Sequence, residues 1–184
     1  QFSSTEISFD IALVPSLADK ELMYLATLLG WNLSHSSASD SSVQLVRNHY
    51  RVNIHRDSFV EVLQSSDLLL CMAGTATEQA VGLGKPVLQL PGKGPQFTTS
   101  FAEAQRRLLG PTVFCADGTV GEEMTLTYTA RLICDLLDRS KHDLSLQKEC
   151  RKQAFKRLGG EGGSKRIAKS ISKLSSSLPA ILST

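Results

Sequence analysis

The sequence predicts an α/β fold: an open, doubly wound parallel sheet with helices on both faces and a helical carboxyl-terminal extension. Three observations predict it. Short apolar runs alternate with helix-length spacers from the start of the chain to about residue 115. One stretch, residues 67–90 (DLLLCMAGTATEQAVGLGKPVLQL), sets an apolar run before Ala73-Gly74-Thr75, a short helix, Gly84-Lys85-Pro86 and a second apolar run. That is the pattern of a β-α-β unit covered on both faces. Beyond residue 115 only helical spacing continues.

In chain order, residues 9–14 (FDIALV) read as a strand ended by Pro15 and Ser16. Residues 19–29 have helical spacing through Leu22, Leu25, Leu28 and Leu29, and Gly30 closes that helix. Residues 32–42 are serine-rich and read as a loop. Residues 43–46 and 52–54 are short strands around the basic, polar turn 47–51, and a short helix over 58–64 leads into the strand at Leu68. The segment 91–99 (PGKGPQFTT) is too rich in Gly and Pro to be regular. A helix over 100–109 ends at Gly110-Pro111, and residues 113–115 form the last strand. Residues 122–138 and 144–158 are helices. Residues 159–163 are a glycine break, 164–174 a final basic helix with Ile167, Ala168 and Ile171 on its apolar side, and the tail frays. The expected organisation is one domain over residues 1–158, with the hinge, last helix and tail in 159–184.

Composition narrows the function classes. With 184 residues and 41% hydrophobic content the chain can bury one substantial core. A formal charge of +2 gives no argument for nucleic-acid binding. No apolar run reaches the length of a transmembrane helix, and residues 1–10 lack the pattern of a signal peptide. The chain begins with Gln1, which leaves room for an upstream amino terminus and any targeting signal. Cys71, Cys115, Cys134 and Cys150 form no C-x-x-C pair and lie mostly in apolar runs, so free thiols in a reducing, intracellular compartment are expected.

Several familiar chemistries are excluded. Gly84-Lys85 is not a P-loop, because Gln79 stands where its first glycine belongs and Pro86 where Ser or Thr would hold magnesium. Gly92-x-Gly94 is a fragment of a dinucleotide fingerprint and opens no helix after a strand, although its glycines imply a close-approach loop. His35, His49, His55 and His142 show no metal-binding spacing, so no metal site is expected. There is no G-x-S-x-G elbow. The Arg106-Arg107, Lys156-Arg157 and Lys165-Arg166 pairs read as solvated helix faces.

What remains is the mouth of the β-α-β unit. Ligands of parallel sheets bind at the carboxyl ends of strands. There Gly74 permits close backbone approach, and a helix starting near Thr75 offers unpaired N–H groups and the positive end of its dipole. An anionic or polyhydroxyl ligand suits such a place. Thr75-x-x-Glu78 also matches a capping box that would need no ligand, and the two roles are compatible.

Residues 52–110, VNIHRDSFVEVLQSSDLLLCMAGTATEQAVGLGKPVLQLPGKGPQFTTSFAEAQRRLLG, resemble the carboxyl-terminal, donor-binding domain of GT-B glycosyltransferases, and within them the lipid-A-disaccharide synthase-like group of cyanobacteria and plant chloroplasts. The chain is similar, more distantly, to the enzyme that adds N-acetylglucosamine to the peptidoglycan lipid intermediate. The resemblance runs from about Phe9 to Leu174 and rests on the paired G-T-A-T-E and G-P-Q-F-T segments. It implies a Rossmann-like half of a GT-B fold that binds a UDP-sugar, a hexosamine derivative, as donor substrate with no resident cofactor. Glu78 would accept hydrogen bonds from the ribose hydroxyls. The backbone of Gly74, Thr75 and Ala76, with Thr77 beside them, would face the diphosphate. Ile54, Arg56 and Phe59 belong to the segment that would hold the base, and Gln96 and Phe97 would approach the donor sugar. The resemblance implies inverting, metal-free transfer to a lipid-linked acceptor, in the chloroplast or cytoplasm and peripheral to a membrane. The amino-terminal acceptor domain of such enzymes is not in this chain, and no residue here is assigned as catalytic; the base would come from that domain or a partner chain. Two other classes fit less of the pattern: a non-catalytic interaction protein retaining this half, and a GT-B nucleotide-sugar epimerase or hydrolase, which would need more His and carboxylates at the strand ends.

Overall fold

A computed structural model of the protein describes residues 7–35, 43–72, 74–90, 92–94 and 98–177. The fold is α/β, and the chain divides into two compact units, Gln1–Ser66 and Asp67–Thr184.

The first unit contains β1 (Asp10–Leu13), α1 (Asp19–Leu28), β2 (Asn32–His35), β3 (Val43–Arg47), β4 (Tyr50–Arg56) and α2 (Phe59–Ser65). Its sheet has the order β1-β4-β3-β2, with β1 parallel to β4 and the other neighbours antiparallel. This corrects the expectation of one doubly wound parallel sheet. The physical reason is the connection between β3 and β4: Arg47 pairs with Tyr50, so only Asn48 and His49 join the strands, and so short a link can only reverse direction. Asn48 takes the positive φ of 55° that such a turn requires, which asparagine tolerates. The expected loop over 32–42 is corrected in part as well, since residues 32–35 form β2 and pair with β3; residues 36–42 lie outside the described residues.

One face of this sheet is polar. Asp10 accepts hydrogen bonds from Asn53 Nδ2 (2.9 Å) and Ser8 Oγ (2.9 Å), and His55 Nε2 lies 2.8 Å from its Oδ1. Gln44 Nε2 donates to Asn53 Oδ1 at 2.8 Å, which extends the ladder to β3. On the other face Ile54 is buried, in register with Ile11 and Val43.

The second unit contains β5 (Leu69–Leu70), α3 (Gly74–Gly82), β6 (Val87–Gln89), α4 (Thr99–Leu109) and β7 (Val113–Cys115), followed by α5 (Glu123–His142), α6 (Leu144–Leu158) and α7 (Gly163–Ser177). Its strands form a parallel sheet in the order β5-β6-β7. The middle strand is sealed, with Val87, Leu88 and Gln89 all essentially inaccessible. Leu88, Ala116 and Leu136 form the core on one side, with Leu68, Leu70, Leu90, Phe114, Leu132 and Ile133 packed around them.

Local chemistry sets the helix ends. The Thr98 hydroxyl caps α4 by accepting from Phe101 N at 3.2 Å, and Gly110 ends it with a φ of 103°. Asp143 caps α6 through Ser145 N and Leu146 N. Helix α5 runs to His142, beyond the expected end at residue 138, with Arg139 placed near both Asp135 and Asp143. Gly159 and Gly162 break the chain before α7 with φ values of 78° and 79°. On α7 the apolar residues Ile167, Ile171 and Leu174 are exposed. Among the described residues no helix is long and apolar enough to cross a membrane.

Candidate functional site

At the carboxyl end of β5 the chain leaves the sheet and enters α3. The strand is tied to its neighbour up to that point: Leu69 N donates to Pro86 O at 3.2 Å and Cys71 N to Leu88 O at 3.1 Å. At the corresponding end of β6, Leu90 N points at Met72 Sδ, 2.8 Å away. The helix that follows has a simple division of faces. Thr77, Ala80 and Val81 are buried, while Thr75 and Glu78, one turn apart, are exposed together. The N–H groups of the first turn have no partner within the helix, and the dipole adds partial positive charge there.

The helix begins at Gly74, which makes Thr75 its second residue and Glu78 its fifth. This corrects the capping-box register: an N-cap lies outside the helix, and Thr75 is inside it. Neither the Thr75 hydroxyl nor the Glu78 carboxylate makes a hydrogen bond or ion pair with a described residue. The cap position itself, Ala73, is outside the described residues.

The predicted site residues thus fall into three groups. Gly74, Thr75, Ala76, Thr77 and Glu78 lie together on the first turns of α3, with the Thr77 side chain turned inward and wholly buried. Gln96 and Phe97 lie outside the described residues. Ile54, Arg56 and Phe59 lie at the β4–α2 junction of the first unit. There Ile54 is a core residue, and Phe59 is the half-buried first residue of α2. Arg56 reaches back to α1, donating to Leu17 O at 2.7 Å and to Asp19 Oδ1 at 2.6 Å. Asp57, with a φ of 52°, makes the turn between Arg56 and α2.

Polar residues that sequence reasoning did not single out line the inner side of α3 and α4. Gln105 of α4 is 9% exposed, and its Nε2 comes within 3.1 Å of the place a Cβ on Gly74 would occupy. Its Oε1 is buried with no hydrogen-bond partner among the described residues, as is Nε2 of Gln89 on β6. Cys115, opposite Gln89 in the register, has its thiol pushed up by burial and by the nearby Glu103 carboxylate. The signal for Gln105 is in the pattern: Ala102, Gln105 and Leu109 share the buried side of α4, so a polar residue stands where the helical period calls for an apolar one. Among the described residues no group of three or more His, Cys, Asp or Glu gathers in a way that could hold a metal ion.

Comparison with protein-family models, curated proteins and solved structures finds no match for this chain.

Proposed function

We propose that this chain is the donor-binding half of an inverting glycosyltransferase of GT-B type, taking a UDP-hexosamine as donor and a lipid-linked acceptor, and acting with an amino-terminal domain or partner chain that supplies the catalytic base. The observation that carries the reading is Glu78: an exposed carboxylate without a partner among the described residues, beside Thr75 and one turn past the N–H groups of the first turn, at the carboxyl end of a parallel strand.

Each part has a chemical role in this reading. The N–H groups of Gly74, Thr75 and Ala76 and the dipole of α3 hold the diphosphate and take up charge as it departs, which removes the need for a metal. Glu78 accepts hydrogen bonds from two vicinal hydroxyls, the arrangement ribose provides.

Calorimetric titration of the chain with UDP, UDP-N-acetylglucosamine and ADP tests the proposal. Saturable binding selective for the uracil nucleotides is expected, and the absence of UDP binding would overturn it. Sugar transfer that appears only when an amino-terminal domain is supplied would separate a transferase half from a protein that binds without catalysis.

A further inference from the structure

We infer that Gln105 is a ligand-contacting residue of the site at the start of α3, its side-chain amide donating to a phosphate oxygen of a diphosphate seated there. The inference rests on the reading of that site as a diphosphate-binding mouth.

Three observations converge on it. Gln105 projects from α4 toward the first residue of α3, with Nε2 beside the place a Cβ on Gly74 would occupy. A Cβ on Gly74 would stand 3.1 Å from that nitrogen, tighter than nine in ten such contacts, so a side chain at this position would press on the amide. The side chain is nine-tenths buried, yet no described residue hydrogen-bonds its Oε1 or its Nε2. Buried amides are ordinarily held by the protein's own polar groups. This one is held by none among the described residues, and its donor lies beside Gly74, in the first turn of α3, whose N–H groups have no partner within the helix. An oxyanion over Gly74 would be met by backbone donors on one side and by the Gln105 amide on the other. Because the amide is uncharged, it adds a directed donor without raising the attraction for every anion.

The test is titration of the ¹⁵N-labelled chain with inorganic pyrophosphate, following the Gly74 backbone amide and the Gln105 side-chain amide by NMR, with UDP as a second probe. Both resonances are expected to shift and saturate together. If Gly74 responds and the Gln105 side chain does not, the inference fails while the site stands. If neither responds, the reading of the site fails and takes the inference with it. Gln105→Met, close in shape and without polar atoms, supplies the second arm. It should weaken pyrophosphate and UDP binding about ten-fold or more while the melting temperature holds or rises, because an unsatisfied buried amide has been removed. Unchanged affinity in the folded variant would show that Gln105 only packs.

Discussion

Replacing Glu78 by Gln separates the two roles its position allows. Gln keeps the length of the side chain and one carbonyl acceptor but removes the charge. A hydrogen bond to a charged group contributes about 1.5 to 3 kcal/mol, so loss of the carboxylate should weaken UDP binding by about ten- to a hundred-fold. The structure predicts almost no effect on stability. Glu78 is exposed and has no partner among the described residues. As the fifth residue of α3 it also lies past the first turn, where a negative charge gains most from the dipole. A surface change of this kind stays within about 0.5 kcal/mol, on the order of 1–2 °C in melting temperature for a chain of this size. Calorimetric titration with UDP gives the affinity, and a thermal melt of the same samples gives the stability. An unchanged dissociation constant would refute the ribose assignment, and if the melting temperature fell by several degrees at the same time, Glu78 would be a structural residue of α3.

Three other outcomes follow from the structure. Leu136→Ala, at a fully buried position in the core beside Leu88 and Ala116, should cost about 2–5 kcal/mol in denaturant unfolding, and a loss below 1 kcal/mol would mean that the site collapses around the gap. Burial raises the pKa of Asp10, but hydrogen bonds from His55, Asn53 and Ser8 outweigh that and hold the carboxyl below its ordinary 3.8. Because the folded value is the lower one, this stabilisation is present above about pH 4 and is lost as pH falls through the folded pKa. Acid melts of wild type and Asp10→Asn should therefore converge below pH 4, and parallel curves would contradict the assignment. Burial also pushes the Cys150 thiol up to about 11, so iodoacetamide at pH 8 should leave it unmodified until the chain is denatured. Labelling of the native protein at the rate of the unfolded chain would disprove this.

The elements that the sequence made legible are those whose side chains carry a period. The apolar runs at β5, β6 and β7, the cap and glycine that bound α4, and the break before α7 can all be read from residue type alone. Strand direction cannot, because an apolar run is the same whether its neighbour is parallel or antiparallel. The mixed sheet of the first unit turns on two residues, Asn48 and His49, and on β2, whose sequence Asn-Leu-Ser-His has one large apolar residue and becomes a strand through pairing with β3. In the candidate site, the cluster from Gly74 to Glu78 was legible because a glycine follows a strand and precedes a helix. The register of its first turn was not, since Thr75 suits an N-cap and a second helical position alike. Gln105 left only a polar residue in an apolar period, and its meaning depends on Gly74, thirty-one positions earlier in the chain.

The sealed middle strand β6 has a kinetic consequence. The β5 and β7 sides bond to it through Cys71 N to Leu88 O and Ala116 N to Gln89 O, and Val87 N itself donates to Thr112 O. Freeing the Cys71 amide for exchange with deuterium requires the sheet to part between β5 and β6, and freeing Val87 or Ala116 requires it to part between β6 and β7. Val87, Cys71 and Ala116 should then be among the slowest-exchanging amides of the second unit and report its global opening, whereas the N–H groups at the start of α3 exchange through local fluctuation. The candidate site would thus be an adjustable surface moored to the most persistent part of its unit, able to reshape around a ligand without loosening the sheet beneath it.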